Sequence, residues 1–362
     1  MSETTDMVVD AATRLFSAQC TARVMAEAEQ GVFPAALWSG VEDNGIASMF
    51  AAEAHGGIAA TPAVAVGVLR AAGRFAVPLP LAETMVGRWL LSKAGVGVGV
   101  GVGVGAGPLA LVIVQRPDGW KVEGSGATRV LRGTEPAVAW GQAAGGVLVV
   151  VRDGAGVGVA TVGSQHLTVD SRTNIAGEPR DGLTAVDLSV RFSPVPAVSL
   201  EAVTHMVSLC RAGLICGALQ RILELSVGYA RDRVQFGRPL AKFQAIQQQL
   251  AELAGAVASA TAITNATANA VHGEHGDLMV AAMRARLAGA IDTGTAVAHQ
   301  VHGAIGFTRE YALHQYTRRL WAWRDEYGSA AEWRERLGRA FAGTPADELW
   351  PRLARVGVAS GS

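Results

Sequence analysis

The chain has 362 residues, half of them hydrophobic and only 17% charged, enough length to bury a large core in two or three domains. Its 31 basic and 31 acidic residues balance and form no basic run, so neither nucleic acid nor an anionic membrane surface is an evident partner, and any phosphate has to be met by a local site. The low charged fraction, against roughly 25% in an average globular protein, predicts helix surface covered by other helices or by another subunit.

Cys20, Cys210 and Cys216 are odd in number and lack metal-type spacing, so they read as reduced thiols in a cytoplasmic protein. The opening MSETTDMVVD carries no signal-peptide pattern. No apolar run approaches the roughly 18 residues of a membrane span.

In chain order, residues 7 to 93 show helical periodicity, with Met7, Val8, Ala11 and Leu15, then Leu37 with Val41, then Ile46 with Met49 and Phe50. Glycine and proline at 31–34, 55–57 and 78–80 cut this region into several helices. Residues 95–107 read GVGVGVGVGVGAG. A glycine at every second position leaves little to pack, which predicts a linker and a domain boundary.

From 108 the period changes to short β-branched runs, LALVIVQ, WKVEG, GVLVVVRDG, GVGVATV and LTAVDLSVRF, which predict an antiparallel β domain. Trp120 and Trp140 read as core or hairpin aromatics. From Ser199 an apolar stripe with small residues runs through Met206, Leu209, Cys210, Gly213, Leu214, Gly217 and Ile222 to Tyr229. Residues 243–257 and 277–300 repeat the pattern, giving an antiparallel helical bundle. The predicted class is α+β, with an N-terminal helical domain 1–94, the linker 95–107, a reduced β domain 108–198, the bundle 199–341 and a tail 342–362. His272 and His275 sit among glycines as an inter-helix loop, and no metal site is predicted. Trp321, Trp323 and Trp333 read as packing residues.

Two stretches carry chemistry. In YARDRVQFGRPLAKFQAIQQQ, residues 229–249, Gly237 and Pro239 are expected to stop an amphipathic helix and leave Arg233 near its end. An arginine held there can grip a phosphate or carboxylate bidentately, the plainer alternative being a solvated surface residue. The segment resembles the flavin-proximal motif Y-x-x-x-R-x-x-F-G…Q of the acyl-CoA dehydrogenase family, at Tyr229, Arg233, Phe236, Gly237 and Gln244. Residues 300–319, QVHGAIGFTREYALHQYTRR, are similar to the same family's Q-x-x-G-G-x-G-F-x-x-E-Y signature, with Ala304 in place of the second glycine. The resemblance covers the C-terminal half and, more loosely, the N-terminal region.

It implies a three-domain fold, FAD as cofactor, an acyl-CoA substrate and an electron-transfer flavoprotein as acceptor. In the family, a glutamate removes the α-proton while the flavin takes a hydride from the β-carbon, giving a trans-2-enoyl-CoA. It also implies that Arg233, Phe236, Gln244, Gln300 and Gly303 hold the pyrophosphate and adenosine of a flavin seated in a neighbouring subunit.

The ring side of such a site is missing from the sequence. A complete member carries a T-E-P-x-x-G-S-D type segment before its first β hairpin and a W-I-T type segment after it. Thr134-Glu135-Pro136 instead follows WKVEG and lacks the Gly-Ser-Asp. The family's two base positions fall, by ungapped counting, on Tyr327 and Val207. Glu326 lies one residue early, turned by about 100° on a helix, and reads equally as a surface or salt-bridged residue. This pattern resembles the small subunits of the heteromeric α2β2 acyl-CoA dehydrogenases of actinobacterial steroid side-chain degradation. It implies a homologous larger partner subunit that supplies base and ring site, and a bulky, steroid-type acyl-CoA. Two other readings stay open: a self-sufficient homotetramer using Glu326 as catalytic base, and a non-catalytic scaffold without flavin.

Overall fold

A computed structural model describes residues 3–97, 107–116 and 118–357, so most of the expected linker lies outside the described residues. The chain forms two compact units, Met1–Ala65 with Val77–Val207, and Val66–Ala76 with Ser208–Ser362.

The first unit contains helices α1 (Glu3–Gln19), α2 (Ala22–Glu29) and α3 (Ala35–Asp43), the start of α4 (Pro62–Arg74) and all of α5 (Leu81–Lys93). Every residue of α5 from Leu81 to Ser92 is buried, which requires its polar members to be matched. The buried Arg88 guanidinium donates to both carboxylate oxygens of Glu42, at 2.7 and 2.5 Å, to Ser48 Oγ at 2.9 Å and to the Gly107 carbonyl at 3.0 Å. The Thr84 hydroxyl accepts from the Leu109 amide at 2.9 Å and faces its carbonyl at 3.3 Å, fastening the first strand to α5.

That strand is β1 (Leu109–Ile113), followed by β2 (Lys121–Glu123), β3 (Thr128–Ala139), β4 (Gly146–Asp153), β5 (Gly156–Gly163), β6 (Thr168–Asp170) and β7 (Arg180–Val195). They form one sheet in the order β1-β4-β5-β7-β3-β2, with β6 also on β7. Every pairing is antiparallel except β1 with β4, which is parallel. Trp120, Leu131, Val147, Val149, Ala160, Leu183 and Phe192 fill the core, and Trp120 and Trp140 are both buried.

The second unit takes the rest of α4 and most of α6 (Leu200–Asp232), then α7 (Gln244–Ala270), α8 (Gly276–His302), α9 (Leu313–Arg324), α10 (Ala330–Phe341) and α11 (Ala346–Gly357). Residues 342–362, set apart as a tail, thus contain a helix. Small residues let α4 and α6 cross with their backbones in contact: a Cβ on Gly217 would stand 1.9 Å from the Arg70 carbonyl oxygen, and one on Gly73 would stand 2.0 Å from that of Leu214. By length and composition α6 could cross a bilayer, but 94% of its most apolar window is buried inside the protein. Cys210 and Cys216 are buried and form no disulfide, and burial pushes the Cys216 thiol up to about 11, so it is no nucleophile at neutral pH. His272 and His275 lie in the turn between α7 and α8.

Candidate functional site

Helix α6 ends at Asp232, five residues before Gly237, so Gly237 and Pro239 do not stop it as the sequence suggests. They build a small hairpin, β8 (Val234–Gln235) with β9 (Arg238–Pro239). Its two turn residues both have positive φ, +50° at Phe236 and +78° at Gly237, the type I′ geometry that matches strand twist. Glycine adopts it freely. A phenylalanine does not, and a left-handed aromatic residue that is also 91% exposed gains little burial from the fold that holds it there. The Phe236 ring meets that of Phe243 edge-on at 6.1 Å, and the Arg238 guanidinium lies 4.2 Å from the Phe243 ring centre. Arg233 is exposed beside this turn, its carbonyl accepting from the Leu240 amide at 2.9 Å. Gln244, also exposed, is the first residue of α7.

The second motif occupies the end of α8. Gln300 is exposed on its last turn, and Gly303 follows with φ +61° and ψ −141°, a conformation almost confined to glycine. Nothing lies within 4 Å of where a Gly303 Cβ would be, so the backbone angle and not crowding demands glycine. Ala304, the departure from the family pattern, is exposed and has no positive φ.

The two motifs meet through a ring cluster that the sequence reading missed. Tyr229, four residues before Arg233, stacks on His302 at 4.7 Å and meets Tyr311 edge-on at 6.0 Å. The Tyr311 hydroxyl is 3.2 Å from His302 Nε2, and His302 Nδ1 donates to the Ala298 carbonyl at 2.7 Å. One turn away, His299 stacks between Phe307 at 4.3 Å and Trp321 at 5.6 Å. The available signal was two histidines three apart bracketing Gln300 at the end of a helix rich in small and apolar residues. Around this corner Arg231, Arg233, Arg238 and Lys242 are all exposed against one acid, Asp232, a donor-rich surface suited to phosphates.

The base positions look different. Val207 is fully buried and apolar. Tyr327 has φ +60°, another left-handed aromatic residue, and the Arg211 guanidinium lies 5.9 Å from its ring centre. Glu326 is engaged, one of its carboxylate oxygens being 2.8 Å from Nε of the buried Arg211. Buried Arg284 donates to the Arg324 and Glu326 carbonyls at 2.8 and 2.6 Å, capping the end of α9. Burial pulls the Arg284 guanidinium down to about 10, with Glu326 opposing and Arg211 reinforcing that shift. Trp323 and Trp333 are buried in the same region, as their spacing predicts.

In the sheet, β1 connects to the β2–β3 hairpin through residues 114–120 alone, with Arg116 closing on Asp118 at 2.7 Å. Those seven residues are fewer than the eight of the family's T-E-P-x-x-G-S-D type segment. Thr134-Glu135-Pro136 lies within β3, where the Glu135 carboxylate accepts the Trp120 amide at 2.9 Å.

Residues 200–340 match the family model described as acyl-CoA dehydrogenase, C-terminal domain. Within the curated relatives, the acyl-CoA dehydrogenase IpdE2 of Mycobacterium tuberculosis is 41% identical over 105 residues, 28% of this chain and 31% of that protein, so the match spans about a third of its length. The C-terminal part of the chain, residues 200–340, is an acyl-CoA dehydrogenase C-terminal domain. Two solved structures share its fold along almost its whole length. The ChsE4-ChsE5 complex of M. tuberculosis has a TM-score of 0.81 at 23% identity, covering 96% of this chain and 99% of that one. The Tcur3481-Tcur3483 steroid ACAD G363A variant has a TM-score of 0.81 at 20% identity, covering 94% and 98%. The chain therefore shares the fold of these structures and carries an exposed, basic corner, with Val207 and Tyr327 at the two base positions and Glu326 paired with Arg211.

Proposed function

We propose that the chain is one subunit of an FAD-dependent acyl-CoA dehydrogenase, gripping the pyrophosphate and adenosine end of a flavin whose ring and base belong to a homologous, larger partner. The observation that carries this is an asymmetry. Arg233, Phe236, Gln244, Gln300 and Gly303 all face solvent, whereas Glu326 is tied to Arg211 at 2.8 Å and the neighbouring base position is a tyrosine.

The residues present fit the tail of that cofactor. Arg233 and the two glutamine side chains supply donors, Gly303 exposes backbone, and Phe236 offers a ring to an adenine or to the opposing chain. When bound, the flavin would accept the hydride; this chain's contribution is to hold its anionic end and keep it oriented. Engagement of Glu326 disfavours the homotetramer reading, and the strained exposed Phe236 disfavours a bare scaffold. Solved relatives named as a two-protein complex and as a steroid enzyme support an unlike partner and a bulky acyl-CoA substrate. An electron-transfer flavoprotein as acceptor and a cytoplasmic setting complete the proposal.

Arg233→Ala in the assembled pair tests it. Losing a charge-assisted phosphate contact costs about 2 to 3 kcal/mol, or roughly 30- to 150-fold in flavin retention. Unchanged flavin content would support the scaffold reading instead.

A further inference from the structure

We propose that His299 is a positioning residue for the corner that presents Gln300 and Gly303, that it works only as the neutral imidazole, and that the corner loosens in mild acid. This rests on the reading of that corner as the grip on the cofactor's tail.

The tautomer follows from the hydrogen bonds. Thr317 Oγ1 points its proton at the Leu313 carbonyl, 3.4 Å away, so it accepts from His299 Nε2–H at 3.1 Å. Nδ1 is then a bare lone pair. It is buried without a partner and faces Gly306, where a Cβ would stand 3.4 Å from it. A proton arriving at Nδ1 finds no acceptor, and the buried N–H it makes is left unsatisfied. Trp321 is itself fixed by donating from Nε1 to Thr295 Oγ1 at 3.1 Å, which holds that side of the slot.

The groups facing the two histidines come from four elements, one of them the turn after α8, which supplies Phe307. From α6 come Tyr229, which stacks on His302, and the Leu225 carbonyl. From the turn before α9 comes Tyr311, and from α9 itself come Thr317 and Trp321. Arg221 and Asp232 act on Tyr311, and neither is among the groups that shift His299 or His302. Ring faces and the helix C-terminus favour a cation at His299. Burial opposes it, with His302 adding to the effect, and holds His299 below the ordinary histidine value. His302 is held low by burial too, against the pull of the Ala298 and Leu225 carbonyls. With both values depressed, the stabilisation is complete above the unfolded value of about 6.5 and is lost as pH falls through the folded values. The backbone that loses support is the turn from Gln300 to Phe307, which carries two of the tail-binding positions.

The test uses the full chain alone and the chain in its assembled pair, each as wild type and as His299→Gln, between about pH 7.5 and 5.5. For the chain alone, the melting temperature of wild type should fall more steeply with acid than that of the variant, and NMR should show His299 titrating below the ordinary value. In the pair, flavin release followed by fluorescence should steepen by up to about tenfold per pH unit for each proton taken up, and less in the variant. A His299 that titrates at or above about 6.5, or a variant with the wild-type acid slope, overturns the proposal. Should His299→Gln fail to fold, the titration of the wild-type imidazole decides. A chain that melts with the expected slope while its pair holds flavin equally at both pH values overturns the tail-grip reading and leaves the acid sensitivity of His299 standing.

Discussion

Phe236→Asn separates a structural from a functional reason for the strained turn. A left-handed residue of this kind costs about 1 to 2 kcal/mol, and asparagine tolerates the conformation far better. Asn-Gly is also the preferred pair for a two-residue type I′ turn, and the sequence already supplies Gly237. Against this stands the edge contact with Phe243 at 6.1 Å, worth about 0.5 kcal/mol for a ring that is 91% exposed. The free chain should therefore gain roughly 0.5 to 1.5 kcal/mol, a rise of a few degrees or less in melting temperature for a chain of this size. The assembled pair should retain less flavin. Calorimetry of the isolated chain and flavin absorbance of the gel-filtered pair read the two effects separately. A variant that melts lower than wild type, or whose pair keeps its full complement of flavin, would refute the reasoning.

Glu326→Gln removes the counter-charge from Arg211, 2.8 Å away, and from the field around Arg284. It should destabilise the chain by about 2 to 3 kcal/mol, less than the full 3 to 5 of a buried pair because the carboxylate is 17% exposed. Turnover by the surviving pair should stay at the wild-type rate; a turnover loss of a hundredfold or more would make Glu326 the base. Gly303→Ala forces a side chain into backbone angles of +61° and −141° and should cost about 1 to 3 kcal/mol, weakening flavin retention by up to about 150-fold. Equal retention would place Gly303 outside the grip.

Where the sequence was periodic it was readable. Strands β1, β4, β5 and β7 are runs of valine, leucine and alternating residues, and the bundle helices carry unbroken apolar stripes. Strand β3 was not readable, although it spans Thr128 to Ala139. Its alternation is interrupted by Gly133, with φ +112° at one register shift, and by Pro136 at another, where the missing amide is tolerated because pairing is already broken. The corner was half legible. Its motif residues could be named from spacing, but the turn was misplaced onto the helix end because glycine and proline signal a break without saying which element they close. Tyr229 on His302, and His299 between Phe307 and Trp321, bring together residues up to 73 positions apart, a pairing that no local pattern carries. The Arg211–Glu326 pair escaped for the same reason: 115 residues separate its members, and each alone reads as surface charge.

The division of labour is tested most directly by the flavin content of this chain purified alone and after co-expression with a longer homologue. The account predicts a colourless chain alone, and in the pair one flavin for each couple of unlike subunits. A yellow protein obtained from this chain by itself, able to reduce a flavin-linked dye with an acyl-CoA, would contradict it.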